Sequence, residues 1–283
     1  MSAETTIAAP PAPAGPPAGA DYRTGVLSHG IATELGRLRL LESQLDPATR
    51  EVIGARDPRP DWHVLEVGAG AGSIARWLGG LVPDGTVTAI DVETRFLASD
   101  APGGPRVIRG DVREHDFAAA SFDLIHARTV LMHLPERESV IDRLVSWLRP
   151  GGWLVLEDLV VTPADSSPRP LVRQAFAAIE EAMAATIGTD MRWARSYPAP
   201  LGAAGLVELG LSARYYPVAG GSDIGRLWAT TFEQSASFIV GQGLLGAQEL
   251  AETAQLFADP GVIELGPSII AAWGRRPVVG ARP

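Results

Sequence analysis

A glycine-rich segment is the feature of this sequence most suited to binding a ligand. It reads Glu66-Val-Gly-Ala-Gly-Ala-Gly-Ser73 and lies between a short apolar run and an amphipathic stretch. Gly68 permits a tight turn, Gly70 lets the backbone approach a ligand, and Gly72 allows close contact between strand and helix. The spacing G-x-G-x-G departs from the dinucleotide pattern G-x-G-x-x-G, whose third glycine would fall at Ser73. A simple tight turn would contain the same glycines, so they are weak evidence by themselves.

Two carboxylates strengthen the interpretation of this segment as a ligand site. Asp91 ends the run Thr86–Asp91, and Asp111 ends the run Arg106–Asp111. An acid at the end of a second strand can accept hydrogen bonds from a ribose diol. The second acid could accept from an adenine amino group. Either acid alone could be a helix cap or a turn residue, but their order after the glycines favours a site for a nucleoside.

His133 and Asp158 are the candidates for proton transfer. His133 lies in Val130-Leu-Met-His-Leu-Pro135, after the fourth apolar run, and Asp158 ends the fifth. An unperturbed imidazole titrates near neutrality, and a general base accelerates proton loss from a hydroxyl by roughly 10²–10⁴. A structural role for His133 at the start of the following helix is an equally simple explanation. The other histidines lack metal-ligand spacing, so we predict no dedicated metal site.

Alternating strands and helices should position these residues. The predicted strands are His63–Gly68, Thr86–Asp91, Arg106–Asp111, Phe122–Ala127 and Gly152–Asp158. Helical segments such as Glu136–Leu148 separate several of them, which predicts a parallel sheet covered on both faces. Beyond Asp158 the pattern changes to helices over Leu171–Ile187 and Ile224–Ile239, with closing strands at Leu211–Val218 and Ser268–Trp273.

The chain divides into three predicted parts. Residues 1–20 are proline-rich and are predicted to be a disordered tail. Residues 21–60 form an amino-terminal helical cap, with a helix over Asp21–Gln44. Residues 61–283 form the main domain, with helical insertions at about 163–205 and 222–262 that we expect to cover the carboxyl edge of the sheet as a lid. The lid aromatics would suit an apolar substrate: Phe176, Trp193, Tyr197, Trp228, Phe232 and Phe238.

Composition excludes several classes of function. The 283 residues include 24 basic and 33 acidic side chains, and the net charge of -9 disfavours nucleic acid as a partner. The chain has no cysteine, so it has no thiolate nucleophile and no cysteine-ligated metal. Neither a signal peptide nor an apolar run long enough for a membrane is apparent. We therefore expect a cytoplasmic protein without a membrane partner.

Four segments resemble the class I S-adenosylmethionine-dependent methyltransferases. They are VLEVGAGAGSIARWL, VTAIDVETRFL, VIRGDV and FDLIHARTVLMHLPERESVIDRLVSWLRPGGWLVLEDL, and they cover Asp61 to about Val160. The cap, with Tyr22, Glu34, Arg37, Leu38 and Gln44, resembles the UbiE-like and natural-product small-molecule branch of that family. The closing pieces AAGL and AAWGRRP resemble the same branch.

The resemblance implies an α/β fold with a Rossmann-like, mostly parallel sheet of seven strands in the order 3-2-1-4-5-7-6, the last strand antiparallel. It implies that Asp91 holds the ribose of the cofactor, that Val92 packs on the adenine, and that Asp111 and Val112 contact the adenine edge. The remaining implied cofactor-binding residues are Tyr22, Glu66, Gly68, Ala69, Gly70, Gly72, His126 and Arg128.

The implied activity is transfer of the methyl group of S-adenosylmethionine, with S-adenosylhomocysteine as product. The acceptor would be a small, apolar or aromatic metabolite, methylated on oxygen or carbon in a lidded cavity, and the protein could be a homodimer. One alternative is an NAD-dependent oxidoreductase, although Ser73 replaces the third glycine of its motif. Two further alternatives are a non-catalytic protein that binds S-adenosylmethionine and a methyltransferase acting on proteins or peptides.

Overall fold

A seven-stranded sheet forms the centre of the protein. The computed structural model describes residues 20–97 and 104–278, so the predicted tail lies almost wholly outside the described residues. The strands are β1 (His63–Val67), β2 (Thr86–Asp91), β3 (Arg106–Arg109), β4 (Phe122–Arg128), β5 (Leu148–Val160), β6 (Val207–Ala219) and β7 (Ile263–Arg275). Their order is β3-β2-β1-β4-β5-β7-β6. Strand β7 pairs antiparallel with both β5 and β6, which confirms the predicted topology.

Parallel pairing brings the predicted site residues to one edge of the sheet. Strand β1 lies between β2 and β4, with Val67 opposite Ile90 on one side and Ala127 on the other. The carboxyl ends of these strands therefore meet, and the glycine-rich turn follows β1 at that edge. In open α/β sheets this edge is where ligands bind.

Alternating side chains on the strands build a core on each face of the sheet. Leu65 and Ile125 belong to one core, whereas Val64 and Leu124 belong to the other. The alternation follows from the two-residue repeat of a strand. Helices cover these cores: α2 (Ser73–Leu81), α3 (Arg137–Trp147) and the short α5 (Ala199–Ala203).

Three further helices form a layer with its own apolar core, and we call it the helical layer. They are α4 (Pro170–Ile187), α6 (Asp223–Gly241) and α7 (Ala247–Ala258). Phe176 packs edge-on against Trp228 at 4.9 Å between ring centroids, and Phe232 stacks on Phe257 at 5.9 Å. Phe176 and Phe232 are almost fully buried and line neither cavity described below, so these two aromatics hold the layer together.

The amino-terminal helix α1 differs from the prediction. It runs from Glu34 to Gly54, whereas residues 20–33 form turns. The amide of Asp21 donates to the carbonyl of Thr186, and Gly25 packs against the Ile187 side chain. Glycines within 21–33 disfavour a helix, and these contacts with α4 stabilise the turns instead.

A buried ionic network connects α1 with the central strands. His126 on β4 lies between Glu66 on β1 and Glu157 on β5, with nitrogen–oxygen distances of 2.7 and 3.3 Å. Thr49 on α1 donates to Glu157 at 2.6 Å. Burial alone would lower the pKa of His126, but the charges and hydrogen bonds of Glu66 and Glu157 raise it to about 9. The imidazole is therefore charged at neutral pH and donates from both nitrogens.

Arg128 extends the same network towards the edge of the sheet. Its Nη1 donates to Thr49 at 2.9 Å, and its Nη2 donates to Asp46 at 3.0 Å. Asp46 also accepts from the Ser73 hydroxyl, the first residue of α2. The network therefore holds α1 against the glycine-rich turn and the strand ends.

The network makes folding stability depend on pH. Because the pKa of His126 is about 9 in the folded protein and 6.5 for a histidine in an unfolded chain, its contribution is complete below pH 6.5 and disappears as the pH rises through 9. We expect the free energy of unfolding to fall by about 3 kcal/mol over that window. Urea denaturation at a series of pH values measures this change.

A matched double variant isolates this contribution. His126→Gln combined with Glu66→Gln removes the two charges of the closer pair, and Glu157 keeps its hydrogen bond from Thr49. The decline above pH 6.5 should be much smaller in this variant than in the wild type. Equal declines in both proteins would show that His126 is not the group responsible.

Candidate functional site

A cavity of about 230 Å³ opens at the carboxyl edge of the sheet. Its walls come from residues 20–23, from α1 and from the segments that follow β1, β2, β3 and β4. We call it the first cavity. The predicted site residues that line it are Tyr22, Glu66, Gly68, Ala69, Gly70, Asp91, Val92, Asp111, Val112, Arg128 and His133. Residues from distant parts of the sequence are thus brought together in one concave site.

The glycine-rich turn forms the floor of the first cavity. Gly68 has a φ of 66°, and a Cβ atom there would overlap the Val130 side chain. Gly70 has a φ of 55°, yet among the described residues only Leu38 lies within 4 Å of where its Cβ would be. A side chain at Gly70 would thus project into open space beside a ligand. Positive φ values make both positions unfavourable for other residues.

Asp91 is fixed to this turn by hydrogen bonds. The Gly70 amide donates to Asp91 Oδ2 at 2.9 Å, and the Glu93 amide donates to Asp91 Oδ1 at 2.9 Å. Burial raises the pKa of the Asp91 carboxyl, while the two amides act in the opposite direction. Each carboxylate oxygen has more than one lone pair, so both can still accept from a ligand. This donor and acceptor set fits a vicinal diol such as that of ribose.

Arg113 organises the next acidic residue and was missed in the sequence. Its Nη2 lies 2.7 Å from Asp111 Oδ2, and its Nε lies 3.0 Å from Asp111 Oδ1. Burial alone would raise the pKa of Asp111, but the hydrogen bonds and charge of Arg113 lower it. Asp111 is therefore an ionised acceptor beside the buried Val112, a combination that suits the polar edge and apolar face of a purine.

A second, smaller cavity of about 60 Å³ adjoins the first. It lies between α1 and the helical layer, and most of its lining is apolar. Met132, Met183 and Met191 line it together with Leu227 and Trp228. Methionine side chains adapt to ligands of different shape. The two cavities share Tyr22, Leu38, Leu41, Thr129 and His133.

His133 lies where the two cavities meet. Its Nδ1 is 2.8 Å from the Thr189 hydroxyl, and its ring centroid is 5.3 Å from that of Tyr22. Burial, followed by the charges of Arg37 and Arg137, lowers the pKa of His133 to about 3. The imidazole is therefore neutral at physiological pH and is a much weaker base than an exposed histidine.

Three predicted site residues lie outside the lining of both cavities: Gly72, His126 and Asp158. Gly72 is the residue before α2. His126 is buried between two glutamates, so it orients Glu66 from behind the cavity. Asp158 is buried and accepts from the Tyr197 hydroxyl at 2.7 Å. Burial raises the pKa of Asp158 to about 7, against the effect of Tyr197.

Two of the predicted lid aromatics, Tyr197 and Trp193, pack beside Asp158. Tyr197 pairs with Trp193 at 6.0 Å between ring centroids, and the Arg137 guanidinium lies 5.0 Å from the Trp193 ring. Of the six predicted lid aromatics, Trp228 is among the residues that line the second cavity. The apolar wall of that cavity comes mainly from leucine, isoleucine and methionine side chains.

Residues 20–97 and 104–278 lack two features that are typical of other classes of function. No cluster of three or more histidine, cysteine, aspartate or glutamate side chains is arranged to hold a metal ion there. Across the same residues, no helix has both the length and the apolar character needed to cross a membrane.

Residues 65–156 match the family model described as "Methyltransferase domain". The chain is 38% identical to methyltransferase str2 of Strobilurus tenacellus over 138 residues, which are 48% of this chain and 45% of that protein. It is 31% identical to the O-methyltransferase cnsE of Penicillium expansum over 157 residues, 52% of this chain and 56% of that protein. The match thus spans about half the length of these curated relatives.

A solved structure shares the fold. The YcgJ protein of Bacillus subtilis superimposes with a TM-score of 0.55 and 18% identity, covering 80% of this chain and 96% of that one. At this identity the likeness concerns the fold alone. Residues 65–156 thus match a methyltransferase domain, and the strand order and glycine-rich turn of this chain resemble those of the class I S-adenosylmethionine-dependent methyltransferases.

Proposed function

We propose that this protein transfers the methyl group of S-adenosylmethionine to an oxygen of a small, apolar or aromatic metabolite. The observation that carries the proposal is the junction of two unlike cavities at His133 and Tyr22. The first has the acceptors that a nucleoside requires, and the second has an apolar wall. The name of the Penicillium relative, an O-methyltransferase, supports oxygen as the acceptor atom.

The residues of the first cavity suit each part of the cofactor. Asp91 would accept from the ribose hydroxyls, and Val92 would pack on the adenine. Asp111 and Val112 would contact the adenine edge, while the turn at Gly68–Gly70 would lie along the methionine part. When bound there, S-adenosylmethionine supplies an activated methyl group on a positively charged sulfur.

The chain's own contribution is alignment and exclusion of water. The attacking atom must approach to about 3–3.5 Å in line with the bond that breaks. Residues from α1, α4 and α6 surround the second cavity, and they would hold an acceptor against the shared residues Tyr22 and His133. We propose that the helical layer acts as the lid over this acceptor.

The sheet topology supports this function over an NAD-dependent oxidoreductase. Dinucleotide-binding folds of that type use the strand order 3-2-1-4-5-6. Here the antiparallel β7 lies between β5 and β6, as the class I methyltransferase resemblance implies. The cytoplasmic location and the homodimer stay predictions from the sequence.

The proposal is tested directly by transfer of a labelled methyl group. The full chain is incubated with S-adenosylmethionine labelled in its methyl group and with a panel of hydroxylated aromatic compounds. We expect labelled methyl ether and an equal amount of S-adenosylhomocysteine. A chain that binds the cofactor but labels no member of the panel, nor any small metabolite of a cell extract, would be a non-catalytic binding protein.

Asp91→Asn should weaken cofactor binding while preserving the fold. The asparagine oxygen can still accept from the Gly70 amide, but the asparagine NH2 group cannot accept from the Glu93 amide, and a neutral acceptor replaces a charged one. We expect affinity for S-adenosylhomocysteine to fall about tenfold to a hundredfold, since a hydrogen bond to a charged group contributes about 1.5–3 kcal/mol. Calorimetric titration measures this loss. Asp84→Asn, at an exposed turn, is the control, and equal affinity in both variants would exclude Asp91 from the site.

His133 should show no titration near neutrality. Because its pKa lies near 3, its imidazole resonances in NMR spectra should stay constant between about pH 5 and about pH 8, the range in which an ordinary histidine titrates. Spectra of His133→Gln identify the resonances. A midpoint near pH 6.5 would restore His133 as a general base; constant resonances would support a neutral residue that positions the acceptor.

A further inference from the structure

Resting on the proposed function, we propose that the acceptor enters the second cavity as an oxygen anion, a phenolate or enolate, held against the guanidinium of Arg37. Arg37 lines the second cavity. The substrate class is thus a small compound with an acidic hydroxyl group, and Arg37 determines that specificity.

The orientation of the Glu34–Arg37 ion pair is the first support. Arg37 Nε and Nη2 each donate to a different oxygen of Glu34 at 2.7 Å, and both side chains are buried. Arg37 lines the second cavity, whereas Glu34 lines neither cavity. Arg37, the positively charged residue of the pair, is therefore the one exposed to the second cavity. Its third nitrogen, Nη1, has no hydrogen-bond partner among the described residues.

The charge balance of the second cavity is the second support. Among the described residues that line it, Arg37 is the only one with a formal charge at neutral pH. His133 is neutral because burial and the charges of Arg37 and Arg137 lower its pKa to about 3. Burial raises the pKa of both Tyr22 and Tyr216, so these hydroxyls keep their protons. The other polar lining residues are Gln44, Thr129 and Thr231.

A cation in an apolar cavity stabilises a nearby anion and lowers the pKa of its conjugate acid. An acidic hydroxyl would therefore lose its proton to solvent on binding, and the weakly basic His133 would not need to remove it. During transfer the acceptor oxygen forms the bond to the methyl carbon, and the carbon–sulfur bond breaks with its electron pair remaining on sulfur. The products are a neutral methyl ether and a neutral thioether.

The probe for the test is 4-nitrophenol, whose ionised form has its own visible absorption band. The full chain is saturated with S-adenosylhomocysteine, and 4-nitrophenol is titrated in at a pH about one unit below its own pKa, where about a tenth of it is ionised. We expect most of the bound probe to absorb as phenolate. Its methyl ether, 4-nitroanisole, cannot ionise and should bind at least tenfold more weakly.

The variant Glu34→Gln combined with Arg37→Gln removes both charges and leaves no buried carboxylate unpaired. It should lose the phenolate band and most of the preference for 4-nitrophenol, while Arg37→Lys should retain part of both. Arg39→Gln, at an exposed position on the same helix, should behave as wild type. Calorimetry with S-adenosylhomocysteine checks that each variant keeps its cofactor cavity.

Each outcome has one meaning. The role of Arg37 would be overturned by any of three results. The wild type could bind 4-nitrophenol in its neutral form, or it could fail to bind 4-nitrophenol, or the double variant could keep the phenolate band unchanged. Any of these results together with normal S-adenosylhomocysteine affinity would leave the proposed methyl transfer intact. Failure of the wild type to bind S-adenosylhomocysteine would instead contradict the proposed function itself.

Discussion

The site depends on the hydrogen bond between the Gly70 amide and the Asp91 carboxylate. This contact joins the turn after β1 to the end of β2, and parallel pairing of those strands makes it geometrically available. The turn can approach the carboxylate because Gly68 and Gly70 adopt positive φ values. A side chain at either glycine would strain the backbone or fill the space that a ligand needs.

Charges buried behind the site keep this edge of the sheet in place. The charged His126 joins Glu66 to Glu157, and Arg128 with Asp46 carries the same network to α1 and the first residue of α2. Such buried ions stabilise a fold only when each has a partner. The network thus supports the floor and the α1 wall of the first cavity together, while the helical layer closes the second cavity from the other side.

The sheet could be predicted from the sequence because its signals are local. The predicted strand Thr86–Asp91 coincides with β2, and the predicted helix Leu171–Ile187 lies within α4. The prediction also grouped Asp91 and the glycines correctly at one edge, since the ends of parallel strands must meet. Gly72 precedes α2 and Asp158 lies near the end of β5, close to their predicted places in the fold, but neither residue lines a cavity.

Long-range contacts could not be predicted from a single sequence. Glu34 and Arg37 are three residues apart on α1, so their pairing is local, but the packing of distant elements that buries the pair beside the second cavity is not visible in the sequence. The family resemblance implied that His126 lies in the cofactor site, but the pairing of β1 with β4 sets it opposite Glu66, behind the cavity. The low basicity of His133 arises from burial and from arginines on α1 and α3, which no neighbouring residue in the sequence reveals.

The glycine-rich turn, Asp91 and Asp111 form the cradle that we propose holds an adenosyl thioether or its methylated form. Calorimetric titration of the wild-type chain with S-adenosylhomocysteine, and separately with NAD, tests this most directly. We expect saturable binding of S-adenosylhomocysteine at one site per chain and no binding of NAD. Heat of binding with NAD alone, or with neither compound, would contradict it.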